Sequence, residues 1–480
     1  MTEQPATQHH AAQHPITDWA GFGFDTRQVH AGEYPDLNTG LRVPPIALSA
    51  GYVFDDFDDQ VDRFAGRSID PIYSRQGNPT NGVAEARLAS LEGGVATVAV
   101  SSGQAAISSA LFALAKGGDH IVSTASIYGG TRILFGRSFA RFGIDVDYVW
   151  DAEDDAEWQR AIRPNTKAIY TETIPNPRND VTDLRRIAAV ARRFNLPLVV
   201  DNTVGTPALI RPIEHGANIV VHSTTKFLTG HGAAVGGAIV DGGTFDWEAA
   251  ERAGRSFPLI TDVKPGLGSM VDRFGAGAYA RATREAVVND IGPSLSPFNG
   301  FLLHQGMETL SLRMERHVAS SLAIVAWLEQ QPEVLSVDYA GLPSSPLYEL
   351  AARDYGVVSA RVAGAGGAAG AGGAAGGEAG AGGEFAGART GSVFGVTVRG
   401  GIDGARAFVN GLRVFSRMTG IGDTRSMVIH PLSSTHATFA PEINDRLGIT
   451  PGLLRLSIGL ESAADLITDL RTGLDAAARV

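Results

Sequence analysis

Asn218-Ile-Val-Val-His-Ser-Thr-Thr-Lys226-Phe-Leu-Thr-Gly-His231 decides how this chain reads. An apolar run of strand length is followed by hydroxyl residues, a single lysine and a glycine. Upstream, Leu196-Pro-Leu-Val-Val200 is a second apolar run, and it ends on Asp201. Short apolar runs bounded by turn residues read as buried strands. Both candidate residues therefore sit where strands end, and open α/β sheets bind ligands at the carboxyl ends of their strands.

Taken singly, each residue has an ordinary reading. Most lysines are solvated surface groups. Asp201, followed by Asn202-Thr203, fits a helix N-cap. Together they fit one chemistry. A lysine amine forms a Schiff base with a carbonyl cofactor, and an aspartate holds a pyridinium nitrogen protonated. That pairing predicts pyridoxal 5'-phosphate, with the neighbouring hydroxyls available to its phosphate.

Working outward, alternating strands and helices begin near residue 95. Val95–Val100, His120–Ser123, Lys167–Thr171, Leu196–Val200 and Ile219–His222 read as strands. Gln104–Ala115 and Asp183–Phe194 read as helices. The alternation predicts an α/β fold, a large, mostly parallel sheet with helices on both faces. Phe301–Gln331 reads as one long helix leading into a smaller C-terminal α/β domain. There, Val393–Val398 and Leu454–Ser457 are expected strands, and Ala405–Leu412 and Ser462–Ala478 expected helices. The expected organisation is a disordered tail at 1–20, an N-terminal segment at 21–72, a large domain at 73–300 and a small domain at 301–480. His9, His10 and His14 in the tail read as metal ligands or as solvated residues. Residues 363–388 are almost entirely Ala and Gly, which predicts a surface insert.

The composition narrows the function. Across 480 residues, 44% are hydrophobic and 19% charged, and the formal net charge is -11. An acidic chain is not expected to bind nucleic acid or an anionic membrane. With no cysteines, disulfides and thiolate chemistry are excluded. No apolar run reaches bilayer-spanning length. The start lacks the pattern of a secretory signal, so the cytoplasm is the expected location.

Ser101-Ser102-Gly103-Gln104 lies at a strand-to-helix turn, where free N–H groups attract anions. It reads equally as a plain N-cap. Ser126-Ile-Tyr128-Gly-Gly-Thr131 places an aromatic at another strand end, suited to stacking on a planar ring or to core packing. Tyr73-Ser-Arg75 precedes the turn Gly77-Asn-Pro-Thr80, and Arg75 fits phosphate binding or an exposed loop.

Together these motifs resemble the Cys/Met-metabolism family of pyridoxal-phosphate enzymes, the group of cystathionine γ-synthase and its relatives. The resemblance runs from about residue 22 to the end, apart from the Ala/Gly stretch. It departs from the family at Asn218, where an acidic residue is usual. It implies a fold-type I, aminotransferase-like architecture. It also implies roles: Lys226 as Schiff-base lysine and, with Tyr128, as catalytic group; Asp201 at the pyridine nitrogen; Tyr128 stacked on the ring. Gly103, Gln104, Ser223 and Thr225 match phosphate contacts. Tyr73 and Arg75 match a pair reaching the neighbouring subunit's phosphate, which implies an obligate dimer within a homotetramer. Asn176, in Glu172-Thr-Ile-Pro-Asn-Pro177, matches a residue at the cofactor's 3'-oxygen and the substrate. Ser433 and Arg455 match the substrate carboxylate site.

Gly236–Asp241 with Phe245-Asp-Trp247, Phe257–Phe274, Ser296-Pro-Phe-Asn299, Gly306–Leu310 and His430–His436 look like the O-acetylhomoserine sulfhydrylase branch. That branch implies γ-replacement by sulfide on an acylated homoserine, in methionine biosynthesis. Cystathionine γ-synthase or γ-lyase chemistry is the nearest alternative. A dehydrogenase is disfavoured because no Gly-x-Gly-x-x-Gly opens a helix after an early strand. A non-catalytic protein on the same fold is disfavoured by the intact Lys226, Asp201 and Arg455.

Overall fold

The computed structural model describes residues 18–33, 40–68, 70–361 and 384–480. Most of the expected tail, with its three histidines, lies outside them. The large sheet has seven strands: β1 Ala96–Val100, β2 His120–Thr124, β3 Asp145–Val149, β4 Thr166–Glu172, β5 Leu198–Asp201, β6 Ile219–His222 and β7 Gly237–Asp241. Their order is β1-β7-β6-β5-β4-β2-β3. β7 runs antiparallel to both its neighbours, and the other pairs are parallel. The expected mostly parallel sheet is borne out.

Period-2 alternation splits the strands between two cores. Leu198, Val200, Val220, Ala238 and Val240 face one. Val199, Ile219, Val221, Ile239 and Tyr170 face the other. Both faces must be covered, which explains why β5 and β6 read as unbroken apolar runs. Asp201 and Glu172 follow Val199 and Tyr170 by two residues. Their side chains therefore leave the sheet on the second face, at its carboxyl edge.

The helices start where the sequence provides caps. Ser102 Oγ accepts from Ala105 N at the helix Gly103–Phe112, and Asp183 caps Leu184–Arg193 in the same way.

Further along are β8 Val334–Asp338, β9 Val357–Arg361, β10 Glu384–Ala388, β11 Val393–Val398, β12 Ser416–Arg417, β13 Met427–Ile429 and β14 Leu453–Ser457. Five of them form a second sheet in the order β12-β13-β14-β11-β8. Its inner residues Phe394, Val396, Leu454 and Leu456 join the same core as Leu198 and Val200. The small sheet is thus packed firmly enough to position a side chain against the large one.

Two expectations change. The region Phe301–Gln331 forms two helices, Pro297–Met307 and Leu310–Leu328. Arg313 Nη2 donates to Gly306 O at 2.6 Å, occupying the carbonyl that a continuous helix offers to Leu310. The same guanidinium donates to Phe227 O at 2.6 Å, so the break ties the helices to the segment after Lys226. The Ala/Gly stretch is also shorter than expected. Residues 362–383 lie outside the described residues, but Glu384–Ala388 form β10, paired antiparallel with β9. A Cβ on Gly387 would meet Leu322 Cδ2 at 2.4 Å, so its lack of a side chain lets the strand lie against the helix.

Candidate active site

At the carboxyl edge of β4, β5 and β6 lies a cavity of about 260 Å³. Lys226, Asp201, Tyr128, Asn176, Gly103, Gln104, Ser223, Thr225 and Arg455 all line it. These come from separate stretches of chain spanning more than 350 positions, so tertiary folding alone brings them together.

The floor is built by close backbone approach. A Cβ on Gly103 would lie 2.6 Å from Ser223 Cβ. Only glycine lets the N-terminus of the helix Gly103–Phe112 sit this close to the turn before Lys226. Gln104 Oε1 is buried there without a hydrogen-bond partner. Thr225 Oγ1 accepts from Gly236 N at 3.1 Å and pins the turn to the glycine loop. Ser223 N donates to Thr203 Oγ1 at 2.8 Å, joining that turn to the segment after Asp201.

Lys226 is half-buried. Burial, with the nearby Arg455 guanidinium, lowers its pKa below the ordinary lysine value. A larger fraction of the amine is therefore neutral, the form that attacks carbonyls and accepts protons. Asp201 Oδ1 accepts from Thr203 N at 2.9 Å, and Oδ2 accepts from the Tyr170 hydroxyl at 3.3 Å. Burial raises its pKa, while the Thr203 hydroxyl and N–H oppose the rise.

Tyr128 is 43% exposed at the cavity. Its N–H donates to Glu172 Oε1 at 2.7 Å. Its ring lies over Gly130, where a Cβ would meet Tyr128 Cε1 at 2.4 Å. The missing Cβ at Gly130 thus leaves room for the Tyr128 ring beside the start of its helix.

Arg455 enters from the small sheet. It sits on β14 between β11 and β13, opposite Gly395 and Ile429, and is 4% exposed. Nη2 donates to Thr419 O and Gly420 O at 2.8 and 2.9 Å. Nη1 reaches Asn176 Oδ1 at 3.5 Å, and Nε is buried without a partner. Desolvation pulls its pKa down to about 10, so the group stays cationic at neutral pH.

The unpartnered Arg455 Nε–H, the glycine-lined helix start and the buried lysine fit a phosphorylated carbonyl cofactor and an amino-acid carboxylate.

A family model described as "Cys/Met metabolism PLP-dependent enzyme" matches residues 25–364 and 385–475. The chain belongs to this family. Relatives agree with this membership. The chain is 40% identical to O-acetyl-L-homoserine sulfhydrylase of Corynebacterium glutamicum, over 95% of this chain and 97% of that one. It is 40% identical to homocysteine synthase of Schizosaccharomyces pombe, over 95% and 98%. Among solved structures, a Campylobacter jejuni chain described as an O-acetylhomoserine (thiol)-lyase, with N'-pyridoxyl-lysine-5'-monophosphate, superposes with a TM-score of 0.83 at 29% identity, covering 95% of this chain and all of that one. Cystathionine γ-lyase of Lactobacillus plantarum gives 0.74 at 29% identity, with the same coverage. Pyridoxal phosphate is the cofactor of this family, and the fold is that of its solved members.

Three sequence-predicted residues lie elsewhere. Ser433 hydrogen-bonds His430 Nδ1 at 2.8 Å in a separate depression beside Val409 and Val428, so it does not line the Lys226 cavity. Its loop is set by the His430 and Pro431 turn rather than by the sheet, which turns it away. Tyr73 and Arg75 do not line their own chain's cavity either. Tyr73 is 46% exposed, and Arg75 donates to Asn289 O and Oδ1 at 2.6 and 2.9 Å. Conversely, sequence reasoning passed over Glu172, Thr203, Thr419 and Ile421, which line the cavity. Glu172 ends a strand just as Asp201 does, so the same strand-end rule points to it.

Proposed function

We propose that this chain catalyses γ-replacement on O-acetyl-L-homoserine, with sulfide as nucleophile and homocysteine and acetate as products. The observation that carries the reading is the convergence of Lys226, Asp201 and Arg455 on one cavity, in a chain whose full-length relatives are named for that reaction.

Bound pyridoxal phosphate supplies a carbonyl for amine capture and a protonated ring that takes up electrons released at the substrate's Cα. The chain's own residues do the rest. Gly103, Gln104, Ser223 and Thr225 would hold the phosphate, and Asn176 would face the ring oxygen. Asp201 would keep a negative charge for the ring nitrogen. Tyr128 would cover the ring. Arg455 binds the α-carboxylate through charge-assisted hydrogen bonds in a desolvated setting. Lys226, tuned toward its neutral form, takes the α-proton and carries it onward. The Cγ–O bond to acetate breaks first, sulfide then forms the new bond to Cγ, and the proton taken from Cα is returned to the product.

Tyr73 and Arg75 complete the phosphate site of a second copy, making the working unit at least a dimer. The 40–72 stretch supports this by exposing Leu48, Val53, Phe57 and Phe64, an apolar display suited to a partner surface. A cytoplasmic homotetramer is the proposed form in the cell.

Purified protein assayed with sulfide should convert O-acetylhomoserine at least about tenfold better than O-succinylhomoserine, by kcat/KM. Conversion with cysteine but not with sulfide would instead assign cystathionine synthesis.

A further inference from the structure

Glu172 and Asp201 are the last residues of adjacent parallel strands, and their Cα atoms are register partners. Neighbouring strands lie about 4.8 Å apart, and residues in register point to the same face. Both side chains line the Lys226 cavity. Glu172 is 4% exposed. The family's chemistry needs one carboxylate at the ring nitrogen, and this cavity holds two.

We infer that Glu172 is a positioning residue of the site: it fixes Tyr128 through the main-chain N–H and, as a neutral acid, leaves the pair's single negative charge on Asp201. The inference rests on the reading that Asp201 faces the cofactor's ring nitrogen.

The donors decide where the charge sits. Asp201 receives Thr203 N–H, the Tyr170 hydroxyl and the Thr203 hydroxyl. His222, on the neighbouring β6, also opposes the rise at Asp201. Glu172 receives one N–H, from Tyr128. Two carboxylates this close in a dry site do not both ionise. Burial and the Asp201 charge push the Glu172 carboxyl well above its usual range. The remaining charged groups on this cavity, Lys226 and Arg455, lie toward the lysine turn and the small sheet. Arg455 is committed to Thr419 O, Gly420 O and Asn176, and among the described residues no cation forms an ion pair with Glu172.

A neutral acid at this place has two effects. One oxygen still accepts from Tyr128 N, so the aromatic stays over the ring position. No second negative charge then competes for the ring-nitrogen proton.

The test uses the cofactor-loaded protein and two variants. Glu172→Gln keeps neutrality and an acceptor for Tyr128 N, and Glu172→Ala keeps neutrality but removes the acceptor. The expected kcat is within about threefold of the parent for Glu172→Gln and down at least about tenfold for Glu172→Ala. The pH profile of kcat should be unmoved in Glu172→Gln. An infrared difference spectrum, parent minus Glu172→Gln at neutral pH, should show a protonated carboxyl C=O band. That spectrum can be taken on the cofactor-free protein too, so it stands if Glu172→Ala fails to fold or if Asp201 proves to face something else. Loss of the cofactor's visible band in Asp201→Asn separately checks the underlying reading. Carboxylate bands in place of the acid band, or Glu172→Gln as damaged as Glu172→Ala, would overturn the charge assignment. Parent-like kcat in both variants would overturn the positioning role.

Discussion

The edge of the large sheet and the 73–80 segment were both marked by sequence as cofactor-binding, yet they are built differently. At the sheet edge, Asp201 and Arg455 stand on strands, and Lys226 on the turn after one, whose apolar residues are buried in the two cores. Their geometry is complete within one chain. Tyr73 and Arg75 instead stand on an exposed segment, tied to Asn289 and away from that cavity. Chemistry that needs sub-ångström placement sits on the core, while the part assigned to a second copy sits at the surface.

That contrast can be broken from either side. Lys226→Ala should lower kcat at least about a thousandfold, since this one amine is proposed as both carbonyl anchor and proton carrier. The fold should survive, because Lys226 is half-buried and belongs to neither hydrophobic core. Circular dichroism alongside the assay checks both halves of that statement. Arg455→Ala should act on KM instead. Losing charge-assisted, desolvated bonds worth about 2–3 kcal/mol corresponds to a rise of about 30- to 150-fold in KM for the acyl-homoserine. A KM change below about threefold would place the carboxylate elsewhere.

The surface segment predicts complementation. Arg75→Ala and Lys226→Ala proteins, each inactive, should regain activity when subunits are exchanged. Random pairing makes half the dimers hybrids, each with one intact site, so recovery approaches about a quarter of the parent rate. No recovery after demonstrated exchange would place Arg75 in its own chain's site.

The smallest effect is expected at the Ala/Gly stretch. Replacing residues 362–383 by a short Gly-Ser link should leave kcat and KM within about twofold, because loop closure depends weakly on length. Extending the deletion through Ala388 should lower the melting temperature, since β10 lies against Leu322 of the helix Leu310–Leu328.

The readable parts of the sequence were those where a residue's chemistry and its position in a strand are the same signal. β5 and β6 are continuous apolar runs ending on Asp201 and just before Lys226, so fold and site were visible together. β3, Asp145–Val149, was missed because an edge strand is half-exposed and alternates acid with apolar residues. β10 was hidden by composition, since antiparallel pairing with β9 uses the backbone and needs no side chains. The helix break at Thr309 has no local marker: it follows from Arg313 taking Gly306 O. Ser433 came from the family resemblance alone, and the loop's hydrogen bonds to His430 and Pro431 aim it away from the Lys226 cavity.

Lys226 is the residue proposed to capture the carbonyl cofactor. The chain has only four lysines, Lys116, Lys167, Lys226 and Lys264, and Lys167 Nζ is already engaged with Ser256 O at 2.6 Å. Borohydride reduction of the pyridoxal-phosphate-loaded protein, followed by peptide mass mapping, distinguishes them directly. The account predicts one stoichiometric pyridoxyl adduct, on the peptide carrying Lys226, and its disappearance in Lys226→Ala. An adduct of equal yield on Lys116, Lys167 or Lys264, with Lys226 unmodified, would contradict it.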